Sequence, residues 1–132
     1  MEMNLTLGVK DLEQSKLFYR NVLGLSPSFF SMNTAEDAYF ILYFTNIKVV
    51  FQQLDTMENQ HPALLQNLTR APLGLGVQLE LNCANLDELE IMIRHHDWPI
   101  VYELDDQEHR RRELWVQDPD GYLVVLNAEQ KK

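Results

Sequence analysis

Glu80 stands among the polar residues of an alternating segment, Gln78-Leu79-Glu80-Leu81-Asn82-Cys83. An isolated carboxylate of this kind acts as a general base when burial raises its pKa; otherwise it holds a polar ligand atom or water. Glu80 is therefore the one candidate catalytic residue. The side chains that serve other chemistries are present without the spacing they need. His95 and His96 are adjacent near the end of a helical segment, so they project about 100° apart and do not converge on one ion, while suiting the negative end of a helix. His61 precedes Pro62, and His109 stands in a polar loop ahead of Arg110. Cys83 is the only cysteine, which excludes an intrachain disulfide and a multi-cysteine zinc cluster. Its place among the apolar residues of its segment is that of a structural thiol. Arg110-Arg111-Arg112 follows Asp105-Asp106-Gln107-Glu108, a basic run balanced by acidic neighbours on a solvated hairpin. No Ser-His-acid arrangement, phosphate-binding glycine loop or dinucleotide fingerprint occurs.

The 132 residues carry a net charge of −9, which disfavours nucleic acid and anionic membranes as partners. With 45% apolar residues the chain can bury one core without disulfides. No apolar run approaches the length of about 20 residues that spans a bilayer, and no basic start followed by an apolar run marks a signal peptide. A cytoplasmic protein is expected, and the glycosylation-like triplet Asn67-Leu68-Thr69 is read as a chance match.

An internal repeat supplies the elements that position these side chains. Residues 3 to 9 alternate with period 2, and from Asp11 the apolar residues Leu12, Phe18, Tyr19, Val22 and Leu23 recur at helical spacing up to Gly24. The same signals return at residues 77 to 83 and from Asn85, at a shift of 74 residues that superposes Leu5 on Leu79 and Leu7 on Leu81. Continued without insertion, that shift puts Phe40 on Leu114 and Phe51 on Val125. Each half reads strand, helix, three strands. The expected fold class is α+β, one domain over 1–132, with module one at 3–55, a linker at 56–74 and module two at 75–127. Later strands are expected near 28–33, 38–45 and 48–54, then 100–104, 111–117 and 122–127, with a short linker helix near 63–68.

Curved mixed sheets would enclose a cleft. If Leu5, Leu7, Leu79 and Leu81 lie under the helices, then Asn4, Thr6, Gln78, Glu80 and Asn82 point the other way. A hairpin closed by Asp118-Pro119-Asp120-Gly121 with Gln117 opposite Tyr122 would pair Leu114 with Val125 and Arg112 with Asn127. Phe40, Phe51, Leu114, Leu123 and Val125 are then the expected apolar wall, and Asn127 and Arg112 add polar contacts. Trp115 and Tyr122 are expected beneath a helix.

In three places the sequence resembles the vicinal oxygen chelate superfamily, which includes glyoxalase I, bleomycin-resistance proteins, fosfomycin-resistance enzymes and extradiol dioxygenases. These are Val9-Lys10-Asp11-Leu12-Glu13-Gln14-Ser15, Phe18-Tyr19-Arg20-Asn21-Val22-Leu23-Gly24-Leu25, and Asp118-Pro119-Asp120-Gly121-Tyr122. The resemblance covers nearly the whole chain. It implies a divalent metal in the enzymes of the family, held at positions that correspond here to Asn4, Gln78, Phe51 and Val125. Two neutral amides beside two hydrocarbon side chains make a poor donor set, so no metal and no cofactor are expected. The segment Arg112-Glu113-Leu114-Trp115-Val116 is similar to the corresponding strand of metal-free bleomycin-resistance proteins. The expected function is binding of a small amphipathic molecule in a metal-free cleft, by a chain that forms a homodimer as family members of this size commonly do. Two alternatives stand beside it: a lyase, isomerase or dioxygenase with an atypical metal site or with Glu80 acting alone, and a scaffold whose cleft is filled by its own side chains.

Overall fold

The computed structural model describes residues 1–31, 38–65 and 72–128. The first module consists of strand β1 (Met3–Val9), helix α1 (Leu12–Leu17), and strands β2 (Ser28–Phe30), β3 (Tyr39–Tyr43) and β4 (Ile47–Gln53). Helix α2 (Leu54–Gln60) follows. The second module has β5 (Gln78–Cys83), α3 (Leu86–His95), β6 (Ile100–Asp106), β7 (Arg111–Gln117) and β8 (Leu123–Ala128). Each module builds a four-stranded mixed sheet, in the orders β1-β4-β3-β2 and β5-β8-β7-β6. The first strand of each pairs in parallel with the last. This is the expected α+β fold of two similar modules. The linker helix is α2, ahead of the expected 63–68, of which 66–68 lie outside the described residues; so do the Asn67-Leu68-Thr69 triplet and residues 32–33 of the expected second strand.

Local chemistry accounts for the helices. Asp11, in extended conformation, accepts the backbone N–H groups of Glu13 and Gln14 and starts α1, and Asn85 does the same for α3 through the Glu88 N–H. α1 continues into one π-helical turn at Phe18–Val22, which buries Phe18, Tyr19 and Val22 together, and Gly24 at φ +69° lets the chain leave the helix. The core lies on the helix-facing sides of both sheets. Phe40 and Phe51 are fully buried and stacked at 4.4 Å beneath the Tyr19 ring, and Val116, Val124 and Leu126 are equally buried in the second sheet.

The modules join through the loop between β7 and β8. The Tyr19 hydroxyl donates to the Asp118 carboxylate at 2.8 Å, the Tyr122 hydroxyl donates to the Gly8 carbonyl at 2.8 Å, and the Lys10 N–H donates to Asp120 at 2.8 Å. Phe18 meets Trp98 across the same junction at 4.8 Å between ring centroids. Tyr122 is therefore buried at the module junction. A cavity of about 1040 Å³ between the modules has helix-facing walls that include Leu5, Leu42, Val49, Leu79, Leu81 and Met92, and it is bordered by the edge strands β1 and β5.

The repeat does not hold one shift throughout. β3 and β7 correspond at 74 residues, but the ladders set Thr6 opposite Val50 and Glu80 opposite Val125, so β4 and β8 correspond at 75. The extra residue is in the turn. The first hairpin closes from the Phe44 N–H to the Ile47 carbonyl, three residues on, and the second from the Asp118 N–H to the Tyr122 carbonyl, four residues on. One residue of slip in a strand moves every side chain to the opposite face.

Candidate functional site

That slip redistributes the expected cleft residues. Phe51 aligns with Leu7 and pairs with Phe40, so both rings belong to the core under Tyr19 and neither reaches the face away from the helices. Leu114 pairs with Leu126, not with Val125, and is buried on the helix-facing side. Arg112 also turns toward the helices, where it donates to Asp87 of α3 at 2.7 Å and to Glu90 at 2.5 Å. It clamps α3 to β7. The expected pairing failed because the turn spans one residue more than a loop closing Gln117 onto Tyr122; Gln117 pairs with Leu123.

The opposite, open faces carry the remaining expected residues. On the first sheet these are Asn4 and Thr6, with Val50 of β4 and Ile41 of β3 beside Thr6. On the second they are Gln78, Glu80 and Asn82 of β5, with Leu123, Val125 and Asn127 opposite them on β8. Trp115 pairs with Val125 and Glu113 with Asn127, so Trp115 sits on the open face and not beneath a helix. Sequence reasoning missed Val50, Glu113, Trp115 and Tyr102 as open-face residues. A signal for the register was present: Lys48 and Gln52 share a face of β4, Asn127 is the polar member of the otherwise apolar β8, and only an odd shift puts all three on the same kind of face.

Polar contacts on the second open face form two groups. The Asn127 side-chain amide donates to the Glu80 carboxylate, and the Trp115 indole N–H donates to Glu113 at 3.2 Å. Arg111 stands 3.6 Å from Glu113. The Asn127 side-chain oxygen is buried without a hydrogen-bond partner among the described residues. A cavity of about 430 Å³ is lined by Glu80, Asn82, Arg111, Arg112, Glu113 and Asn127.

The chemistry of the donor set tests the metal implied by the resemblance. With the register corrected, the positions are Asn4, Val50, Gln78 and Val125, still two amides and two hydrocarbon side chains, which supply no charge and too few donors for a divalent ion. Among the described residues no group of three or more His, Cys, Asp and Glu side chains is placed to hold one. Elsewhere, burial pushes the Asp118 carboxyl up to about 6, although the Tyr19 hydroxyl and the Tyr122 and Asp120 N–H groups pull it down. Burial and the neighbouring Asp118 raise Tyr122 to about 12 and hold Tyr19 well above its ordinary value. Burial alone raises the half-buried Cys83 thiol, which makes it a poor nucleophile at neutral pH.

Comparison with known proteins gives one family. The profile of the Glyoxalase/Bleomycin resistance protein/Dioxygenase superfamily matches residues 4–126. No curated protein matches the sequence. Among solved structures, TnmS3, an antibiotic binding protein from Streptomyces sp. CB03234, is 16% identical with a TM-score of 0.67, covering 98% of this chain and 96% of its own. A lactoylglutathione lyase from Agrobacterium tumefaciens is 15% identical with a TM-score of 0.67, covering 97% of this chain and 92% of its own. A glyoxalase/bleomycin resistance protein/dioxygenase from Nocardioides is 16% identical with a TM-score of 0.70, covering 99% of this chain and 84% of its own. At these identities the likeness is one of fold.

Proposed function

The chain belongs to the Glyoxalase/Bleomycin resistance protein/Dioxygenase superfamily, and on that premise we propose that it binds a small amphipathic molecule on the open faces of its sheets without a metal. The observation that carries this reading is the donor set Asn4, Val50, Gln78 and Val125 on an otherwise retained scaffold. Apolar side chains flanked by a few oriented polar groups are the usual composition of a small-molecule site. Here Val50, Leu123, Val125 and Trp115 supply the first, and Asn4, Thr6, Gln78, Glu80, Asn82 and Asn127 the second. The antibiotic-binding relative makes sequestration or carriage the natural use of such a site.

The working unit in this reading is a homodimer in the cytoplasm. Two edge strands, β1 and β5, border the cavity between the modules, and a second copy packed there would cover Leu5, Leu79 and Leu81 while bringing open faces of the two chains together. No helix among the described residues is long and apolar enough to cross a membrane.

The test is metal analysis paired with a ligand screen. Protein purified without chelator and incubated with nickel, zinc, iron or manganese should retain less than stoichiometric metal after desalting, and a thermal-shift screen should find ligands that raise Tm, since binding to the native state alone adds RT ln(1 + [L]/Kd). Stoichiometric metal that is lost on changing Gln78 to Leu would overturn the metal-free reading in favour of a metal-dependent enzyme.

A further inference from the structure

We infer that the loop between β7 and β8 is a proton-sensitive latch: protonated at Asp118 it holds the two modules together, and ionised there it opens locally far more often while both sheets stay intact. The latch does not depend on the small-molecule reading above.

The first observation is where the polar contacts between the modules fall. Among the described residues, the hydrogen bonds that cross the junction all involve residues 118–122. Asp118 accepts from the Tyr19 hydroxyl, Asp120 accepts from the Lys10 N–H and faces the Ser15 hydroxyl at 3.3 Å, and Tyr122 donates to the Gly8 carbonyl. One loop therefore fastens the second module to β1, α1 and the π-helical turn. The corresponding turn of the first module, between Phe44 and Ile47, is one residue shorter and holds no carboxylate. Opening releases the Gly8 carbonyl of β1, the strand that carries Asn4 and Thr6.

The second observation is the charge. Outside the tyrosines, Ser15 and Asp118 are the buried polar side chains among the described residues, and both lie at this junction. The titratable groups around Asp118 are Tyr19 from the π-helical turn and Asp120 and Tyr122 from its own loop, while Lys10, at the end of β1, meets the loop through its backbone. Among the described residues neither Asp118 nor Asp120 forms an ion pair with a Lys, Arg or His side chain. An ionised Asp118 is thus a buried charge with a like charge beside it and no cation paired to it, which is costly. A protonated Asp118 avoids that cost. Its Oδ1 keeps the Asp120 and Tyr122 N–H donors, and its Oδ2 can exchange a hydrogen bond with the Tyr19 hydroxyl in either direction. Burial accordingly pushes the carboxyl up to about 6, against 3.8 for an open, solvated loop. The extra stability of the closed junction is full below about pH 4 and is lost as pH rises through about 6.

Native-state hydrogen exchange by NMR on the full chain tests the latch, with rates corrected for the pH dependence of chemical exchange. The junction reporters are the Lys10 and Tyr122 amides, which donate to Asp120 and Asp118, and the references are amides of the central strands β4 and β8. The opening constant of the reporters should exceed that of the references at every pH, and should rise about 20-fold from about pH 4.5 to about pH 7. Asp118→Asn should remove the rise, and Tyr19→Phe should keep it and extend it to higher pH. Reporters that open only together with the references, a pH-independent opening constant, or the same rise in Asp118→Asn would overturn the inference. Should Asp118→Asn fail to fold, Tyr19→Phe decides: a rise that extends to higher pH supports the latch, and an unchanged profile overturns it.

Discussion

Replacing Asp118 by Asn tests how the two modules are joined. The carboxylate is 4% exposed, accepts from the Tyr19 hydroxyl and from the Asp120 and Tyr122 N–H groups, and its pKa is pushed up from 3.8 to about 6 because burial outweighs those three bonds. The folded chain therefore holds a proton between about pH 4 and about pH 6 that the unfolded chain has already released. The stabilisation from this linkage is fully present below about pH 4 and is lost as pH rises through about 6. About two units at 1.36 kcal/mol each make the change about 3 kcal/mol. An Asn side chain keeps an oxygen for the two N–H groups and can donate to the Tyr19 oxygen, while carrying no charge. Urea unfolding of both proteins between about pH 4 and about pH 8, followed through the tryptophans and by circular dichroism, gives the comparison. The stability of the natural protein minus that of the variant should fall by about 3 kcal/mol from about pH 4 to about pH 7. A difference independent of pH would refute the reasoning, because it would mean that Asp118 ionises alike in both states. Tyr19→Phe removes one of the bonds that lower the pKa and should move the window to higher pH.

Three further outcomes follow from packing and register. A methyl group at Gly8 would lie 2.4 Å from Leu54 and 3.0 Å from Met57 of α2, so Gly8→Ala should cost about 1–3 kcal/mol in denaturant unfolding, with part regained on adding Leu54→Ala. Grafting Asn4→His, Val50→Glu, Gln78→His and Val125→Glu should create stoichiometric zinc or nickel binding by metal analysis. The same set with Phe51→Glu in place of Val50→Glu should lose folded protein instead, because it buries a carboxylate against Tyr19; metal binding by that second set would restore the unshifted register. Arg112→Ala should lower stability by about 1–2 kcal/mol through its lost bonds to Asp87 and Glu90 and leave the affinity of any open-face ligand within twofold; a large loss of affinity would return Arg112 to the site.

The candidate site was legible where a strand alternates visibly. In β5 the order Gln78, Glu80, Asn82 against Leu79, Leu81, Cys83 states which residues share a face, and the same holds for Asn4 and Thr6 in β1. It was illegible where a strand is apolar throughout. Leu123-Val124-Val125-Leu126 offers no alternation, so its register depended on the turn before it, and the backbone bonds that Asp118 accepts hold that turn one residue longer than its counterpart in the first module. Tyr102 was illegible for a related reason: nothing in Ile100-Val101-Tyr102 says that Val101 will be skipped by the ladder.

Sequence alone therefore determined the two-module plan, the helix starts at Asp11 and Asn85, the polar face of each first strand and the neutral amide side chains at Asn4 and Gln78. These are local matters of periodicity, capping and side-chain type, which neighbouring residues decide between themselves. The tertiary structure alone decided that Phe40, Phe51 and Leu114 are core, that Arg112 serves α3, and that Trp115 and Tyr102 lie on the sheet face away from the helices. Each of those depends on which residues stand opposite one another across a ladder, and pairing is set by turn length, bulges and the burial of Tyr19 and Asp118 between modules. A single residue added in one turn reverses every face beyond it, and hydropathy does not record that residue when both faces of the strand are apolar.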